Sequence, residues 1–275
     1  MLKKFVFFGT PEFAAIILER LIKAGWTPAA VVTNPDRPVD RKQTLKAPPV
    51  KFSIFNFQFS IKVFQPEKLL EIKDKLTEMG ADFGILAAYG KILPKEIIDI
   101  FPKGIIGVHP SLLPKYRGPT PIQSAILNRD EETGVTLFLM DEKIDHGPIL
   151  INHKSKIKNQ NYGDLIKELA EISADLLIEI LPKYLAGEIK PQAQDESQAT
   201  YTKKFTTEDA KVDLEKDQPE LVWRKVRALN PEPGVWTLRQ AQGKLKRMKI
   251  LEADLDDGKL ILKKIQFAGE KVKII

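Results

Sequence analysis

Two residues of this sequence stand where they could do acid–base chemistry together. His109 lies in "GIIGVHPSLLPKYRGPTP", residues 104–121, just past the carboxyl end of an apolar run, Ile105–Val108. Asp145 lies in "MDEKIDHGPIL", after a second apolar run, Val135–Met140. A histidine can donate a proton near neutral pH, and a carboxylate can orient it and stabilise its charged form. If both runs are strands of one open sheet, their ends can meet in the crevice where such sheets hold ligands. The competing reading is a turn histidine and a capping aspartate, the commoner fate of an arbitrary pair. The unusual turn around each residue raises the odds of the first. Gly107, two residues before His109, raises a separate question, because a glycine offers no side chain to such a site. The remaining histidines, His146 and His153, lack ligand spacing with His109, and the chain has no cysteine. Metal, disulfide and thiol chemistry are therefore not expected.

The elements that must position this pair follow from the apolar pattern. Lys3–Phe8 reads as a buried strand. In "GTPEF", Thr10 can cap a helix whose first position suits Pro11 and whose dipole suits Glu12. Phe13, Ile16, Ile17, Leu18 and Leu21 then recur at helical spacing, and Ala29–Thr33 is a second strand, so the chain starts βαβ. Ile61–Phe64, Asp82–Ala88, Ile105–Val108 and Val135–Met140 are further strands. "PEKLLEIKDKLTEMG" reads as a helix ended by Gly80, and Gly163–Leu185 as a long amphipathic helix. Strands alternating with helices predict a mostly parallel α/β sheet covered on both faces. Residues 189–205 are polar and without apolar periodicity, which predicts a linker. A short helix over Pro219–Ala228 and strand-like runs at Lys249–Glu252, Lys259–Lys264 and Val272–Ile275 then suggest a small β-barrel.

Composition sets the outer bounds. At 275 residues and 43% hydrophobic, the chain can bury a real core. The apolar run at the N-terminus is too short for a signal peptide, and no segment approaches the roughly 18 apolar residues of a membrane span. A soluble protein of the reducing cytoplasm is expected. The net charge of +6 favours an acidic partner such as nucleic acid, but a merely solubilising lysine-rich surface gives the same charge, and charge alone does not separate the two. Candidate contacts are Arg37, Arg41, Lys42 and Lys46 in a polar, proline-rich loop, though such a loop is more commonly just a solvated surface. Others are Lys203, Lys204, Arg227, Lys244 and Arg247 in the C-terminal part. Trp223 and Trp236 read as core, so backbone contacts to a structured RNA are expected rather than base stacking. "FFGTPEF" has one glycine where a dinucleotide fingerprint needs three, so it reads as a tight turn into a helix.

Over nearly the whole chain these residues resemble a known family. "VHPSLLPKYRGPTPIQSAI", "AAYGKILPKEII" and "ETGVTLFLMDEKIDHGPIL" resemble the 10-formyltetrahydrofolate-dependent formyltransferases. "FFGTPEFA", "NPDRPVDRKQTLKAPPVK" and "VWRKVRALNPEPGVW" narrow the resemblance to those acting on methionyl-tRNA. The resemblance implies a Rossmann-like catalytic domain over residues 1–188, a linker over 189–205 and an OB-like, tRNA-binding β-barrel over 206–275. It implies a monomer that takes a formyl group from 10-formyltetrahydrofolate to the α-amine of initiator methionyl-tRNA, with no metal. His109 and Asp145 match the catalytic histidine and aspartate. Ser111, Leu112, Leu113 and Pro114 match the folate-lining segment. Leu86, Ala87, Ala88 and Tyr89, with Asp141, Glu142 and Lys143, match the rest of the pterin pocket. Arg41 matches the basic residue that contacts the acceptor stem, here between Asp40 and Lys42 where the family has glycines.

Two positions depart from the family. Gly107 stands where the family has an asparagine aimed at the formyl oxygen, and His146 stands where threonine is usual. Either His146 or Gln65 is a candidate replacement donor, with a slower site or lost transfer as the alternatives. The competing functions are a formyltransferase for an amino sugar or another small amine, and a tRNA-binding protein with a degenerate site.

Overall fold

The computed structural model describes residues 3–38, 45–54, 61–241 and 243–275. In chain order the first elements are β1 (Phe5–Gly9), α1 (Glu12–Lys23), β2 (Ala30–Val32), β3 (Arg37–Pro38), β4 (Leu45–Lys46), α2 (Pro49–Ile54) and β5 (Lys62–Phe64). Next come α3 (Lys73–Glu78), β6 (Phe83–Ala87), α4 (Lys95–Ile98), β7 (Ile105–His109) and α5 (Pro121–Leu127). They are followed by β8 (Glu132–Leu139), β9 (Ile149–Lys156), α6 (Tyr162–Leu185) and α7 (Pro219–Leu229). The last strands are β10 (Trp236–Ala241), β11 (Lys244–Asp256), β12 (Lys259–Phe267) and β13 (Lys273–Ile274). The chain divides into two compact units, one of residues 1–117, 134–155 and 167–200, the other of 118–133, 156–166 and 201–275.

The first unit is built on a seven-stranded sheet in the order β5-β2-β1-β6-β7-β8-β9. The strands from β5 to β7 are parallel, and β8 runs antiparallel to β7. Phe5–Phe8 are at most 1% exposed, and Val31, Val32, Ile85, Ile105 and Ile106 are fully buried. Strands covered on both faces read as continuous apolar runs, which is why β1, β2, β6 and β7 stand out in the sequence. The strand order reverses at β1, between β2 and β6. Open sheets hold ligands at the carboxyl ends of strands beside such a reversal. The register puts Gly9 beside Ala87, Ala87 beside Val108, and His109 beside Thr136, so the expected site segments start from adjoining strand ends.

Three local expectations change. Thr10 does not cap α1. The N-cap is Pro11, and the Thr10 hydroxyl donates to the Tyr89 carbonyl (3.2 Å), tying the end of β1 to the turn after β6. The helix expected from residue 66 begins as a 3-10 turn, Leu69–Ile72, before α3, and Gly80 ends it with φ +59°. The third change is the expected linker. Gln192 exchanges backbone hydrogen bonds with Ile149 (2.7 and 2.8 Å), and Thr200 does so with Pro114 and Arg117 (3.2 and 2.8 Å). These pairings bind residues 192–200 to the first unit, where a free linker would leave its backbone to water.

In the second unit, β10–β13 form a four-stranded antiparallel sheet, and β11 carries irregularities between Ile250 and Ala253 that bend it. Helix α7 packs on β11 and β12 and against α5. Val222, Val226, Leu229, Trp236, Met248, Ile250 and Ile265 are buried between them. Among the described residues no helix is long and apolar enough to cross a membrane.

Candidate active site

Strand β7 ends on His109, whose side chain is 7% exposed. Its Nε2 lies 2.8 Å from the Tyr116 carbonyl oxygen. A carbonyl only accepts, so Nε2 carries a proton, and Nδ1 is the ring edge left for chemistry. That edge lies 3.5 Å from Asp145 Oδ2. The structure therefore brings His109 and Asp145 together. Tyr116 has φ +63°, which turns the 111–117 loop back over the end of β7. The loop is pinned by Ser111 Oγ, donating to the Lys115 carbonyl (2.6 Å), and by the Leu113 amide, donating to Thr136 Oγ1 (3.0 Å).

Asp145 sits in a left-handed conformation, φ +47°. An aspartate tolerates this better than most residues. The same turn brings Gly147 against β8, where an added Cβ would stand 1.8 Å from the Leu139 carbonyl oxygen, so no larger residue fits. Gln194 closes the turn from outside. Its Nε2 donates to the carbonyls of Asp145 (2.9 Å) and Gly147 (2.8 Å).

Gly107 lies directly opposite Phe138 across the β7–β8 pair. A Cβ at position 107 would stand 2.5 Å from Phe138 Cε1 and 2.6 Å from Cζ. Phe138 is 2% exposed, so its ring fills the space an asparagine would need. Neither candidate replacement donor is available. His146 has Nδ1 2.5 Å from Asp141 Oδ2 and Nε2 3.5 Å from Glu196 Oε1, one carboxylate on each nitrogen. Gln65 donates through Nε2 to the Asn34 carbonyl and Asp36, and its oxygen accepts from Lys51 (2.8 Å). Gln65 and Lys51 also hold the Asp36 carboxyl below its ordinary range.

The segments expected to line a pterin pocket adjoin this pair with different side-chain fates. Ala88 is exposed with φ +46°, Leu86, Leu112 and Pro114 are half-buried, and Ser111, Leu113 and Ala87 are buried. Tyr89 is fully buried, packed edge-on against Phe8 at 6.0 Å, and burial pushes its hydroxyl up to about 12. Its carbonyl accepts from Thr10 and Asn34 (3.2 and 3.1 Å). In the turn before Asp145, Glu142 and Lys143 are exposed, and Asp141 accepts from the Lys143 amide (2.9 Å). No group of three or more metal-ligating side chains occurs among the described residues.

Basic residues fall into two groups. Arg37 and Lys46 are exposed and face each other across the two-stranded β3–β4 ladder. Arg41 and Lys42 lie outside the described residues. In the second unit Lys204 and Lys244 are exposed, while Lys203 pairs with Asp209 (2.9 Å). That pairing and Thr206 hold the Asp209 carboxyl far below its usual range. Arg247 stacks on Trp236 at 4.2 Å. Arg227, expected to contact RNA, is 9% exposed, stacked on Trp223 and donating to the Gln160 carbonyl (2.8 and 3.1 Å). Its guanidinium is committed inside the fold, which the helical position alone did not reveal. The second unit also holds a cavity of about 850 Å³ lined by Trp223, Arg227, Asn230 and Leu255, but neither His109 nor Asp145 borders it.

Several residues of the site escaped the sequence reading: Tyr116, Arg117, Thr136, Phe138, Gln194 and Glu196. Arg117 is fully buried, with Nη1 and Nη2 on the two Glu196 oxygens (3.0 and 2.6 Å) and Nε and Nη2 on Gln194 Oε1 (3.1 and 2.8 Å). Arg117 in turn holds the Glu196 carboxyl below its ordinary range. The one signal was the density of amide and acidic side chains in residues 192–198.

Known proteins place this geometry in a family. The model of the formyl transferase family matches residues 3–181, and that of the formyl transferase C-terminal domain matches residues 204–274. A methionyl-tRNA formyltransferase of Kosmotoga olearia is 40% identical over 293 aligned positions, covering 98% of this chain and 93% of the relative. Among solved structures, the methionyl-tRNA formyltransferase of Clostridium thermocellum superposes with a TM-score of 0.62 at 17% identity, covering 100% of this chain and 99% of that one. An N-formyltransferase of Helicobacter canadensis, in complex with folinic acid and dTDP-3-aminofucose, gives 0.65 at 21% identity, covering 93% and 89%. At these identities the two structures bear on the fold alone. By the family model and the relative's identity along nearly its full length, the chain belongs to the methionyl-tRNA formyltransferase family of formyl transferases.

Proposed function

We propose that this protein transfers the formyl group of 10-formyltetrahydrofolate to the α-amine of methionine on initiator tRNA, in the cytoplasm. The observation that carries the reading is the His109–Asp145 pair at the end of β7, in a chain of this family. The folate would supply the formyl carbon already activated on nitrogen. The Helicobacter canadensis protein, of the same fold, is in complex with folinic acid, which supports a folate as the donor; the strand ends around residues 86–89, 111–114 and 141–143 would hold it.

The chemistry asked of the chain is modest. The amine nitrogen bonds to the formyl carbon, the bond from that carbon to the folate nitrogen breaks, and one proton moves from the amine to the leaving nitrogen. His109, fixed through Nε2 by the Tyr116 carbonyl, presents Nδ1 to that exchange. Protonated, this edge stabilises the oxyanion and then supplies the proton to the leaving nitrogen. Asp145 stabilises the charged ring and accepts the amine proton directly or through water. Without an amide at position 107, the oxyanion depends on His109 more heavily than in a site with both donors. Losing one such donor costs on the order of 10²–10³ in rate in a protease, so a slow chemical step is expected.

The acceptor is held electrostatically. Arg37 and Lys46 are exposed cations paired across the β3–β4 ladder, and Lys204 and Lys244 are open cations of the second unit. Such contacts position a phosphate backbone without reading sequence. We take the protein as a monomer that needs no metal. The test is an assay with purified protein, 10-formyltetrahydrofolate and charged initiator tRNA, with amino-sugar nucleotides and glycinamide ribonucleotide in parallel. Formyl-methionine on the tRNA alone is expected. Transfer only to the small amines would move the reading to the sugar branch, and tRNA binding without turnover would mark a degenerate site.

A further inference from the structure

We infer that Gln194, outside the strand and the turn that carry His109 and Asp145, is a positioning residue that fixes the Asp145 carboxylate against His109. The inference rests on the reading of Asp145 as the partner of His109.

The argument starts from a complete set of hydrogen bonds. A glutamine amide has two N–H donors and one oxygen with two lone pairs. In Gln194 all four are used: the donors on the Asp145 and Gly147 carbonyls, the oxygen on Nε and Nη2 of Arg117. Carbonyls only accept and a guanidinium only donates, so the amide has a single orientation here. Its oxygen rests on a buried arginine. Arg117 is fully buried, and a buried cation is costly unless paired and hydrogen-bonded. The two oxygens of Glu196 hold it on the far side. Gln194 therefore transmits a fixed point of the core to the turn that bears Asp145.

That turn needs holding. Asp145 is left-handed, its side chain is 22% exposed, and a small rotation would carry its oxygen out of the 3.5 Å contact with His109 Nδ1. Glu196 steadies the same turn from the other side through His146, whose second nitrogen lies on Asp141. The segment also reaches the other member of the pair. Thr200 Oγ1 accepts from the Tyr116 amide (2.8 Å), and the Tyr116 carbonyl anchors His109. Residues 192–200 thus set both sides of the His109–Asp145 contact without touching it.

The test uses two variants of the full chain. Gln194→Leu removes every amide contact. Gln194→Glu keeps an oxygen for Arg117 and removes both donors to the turn, so it separates positioning from the need to satisfy a buried arginine. Misplacing a reacting group by about 1 Å can cost on the order of 10²-fold. Accordingly, kcat should fall by about 10- to 100-fold in both variants. KM for both substrates should stay unchanged, and Gln194→Glu should melt where the unmodified protein does. The 15N signals of the His109 ring should move in both variants, whether or not turnover is followed. Wild-type kcat in Gln194→Glu, or unmoved ring signals, would overturn the inference. Full activity in Asp145→Asn would instead remove the underlying reading of Asp145, and the ring signals would still decide whether Gln194 sets the turn.

Discussion

The carboxyl end of β7 and the β3–β4 hairpin belong to the same unit and treat their polar groups in opposite ways. Around His109 the ring is nearly buried, one nitrogen is committed to a carbonyl and the other faces one carboxylate. The neighbouring turn is closed by a glutamine whose amide has no capacity left. On the hairpin, Arg37 and Lys46 stand exposed and directly opposite, an arrangement that like charges make unfavourable unless an anion joins them. On the proposed function, the difference separates two tasks. Making and breaking a bond calls for groups fixed in advance, since the gain lies in avoided reorganisation. Holding a polyanion calls for open charges that release counterions on contact.

The largest effect should come from breaking the fixed region. His109→Ala removes the proposed proton donor, and kcat for tRNA formylation should fall by about 10²–10⁴-fold with KM for tRNA unchanged. The next test sharpens the glycine question. Gly107→Asn alone drives a side chain into Phe138 and should destabilise the protein by about 1–3 kcal/mol in a denaturant titration, with no gain in kcat. In a Phe138→Leu background the asparagine should fit, and kcat should exceed that of Phe138→Leu alone. A gain in the single variant would show that the ring is not the obstacle.

The exposed region should respond in binding. Arg37→Ala or Lys46→Ala should raise KM for tRNA while leaving kcat unchanged. Each should reduce the slope of log affinity against log salt by about 1. A fall in kcat would place the hairpin in the chemistry and erase the contrast.

The smallest effect is on stability alone. Tyr89 has a fully buried hydroxyl with no hydrogen-bond partner among the described residues. Burial pushes its pKa above the ordinary value of about 10, to about 12. With the folded value raised, its contribution is complete below pH of about 10 and lost as pH climbs toward about 12. Tyr89→Phe should abolish that alkaline loss and add about 1 kcal/mol at neutral pH. Folate KM should not change, because the ring faces the core rather than the pocket.

How far the sequence could be read follows the same division. The parallel strands were legible because burial on both faces writes them as unbroken apolar runs. Strand β9, "ILINHKSK", was not, because none of its residues is fully buried and half of them are exposed. His109 and Asp145 were legible because each follows such a run, and Gly107 because it breaks the motif around them. Phe138 as the reason that Gly107 has no room for a side chain needed the β7–β8 register, which no local pattern contains. The Arg117–Gln194–Glu196 cluster was hidden for a related cause. Its partners are 77 and 79 residues apart and sit outside the strands and α-helices, where neither period 2 nor period 3.6 applies. Polar residues without periodicity read as a linker, whereas here they bond to the turn that carries Asp145.

The most direct test of the central claim is single-turnover formyl transfer by Asp145→Asn against the unmodified protein, with folate and charged tRNA both saturating. Asparagine keeps the size of the side chain and removes its charge. Equal binding with transfer slowed by about 10² or more is the predicted result, since the loss then lies in proton handling alone. Transfer at the unmodified rate would contradict the assignment of the His109–Asp145 pair as the reacting centre.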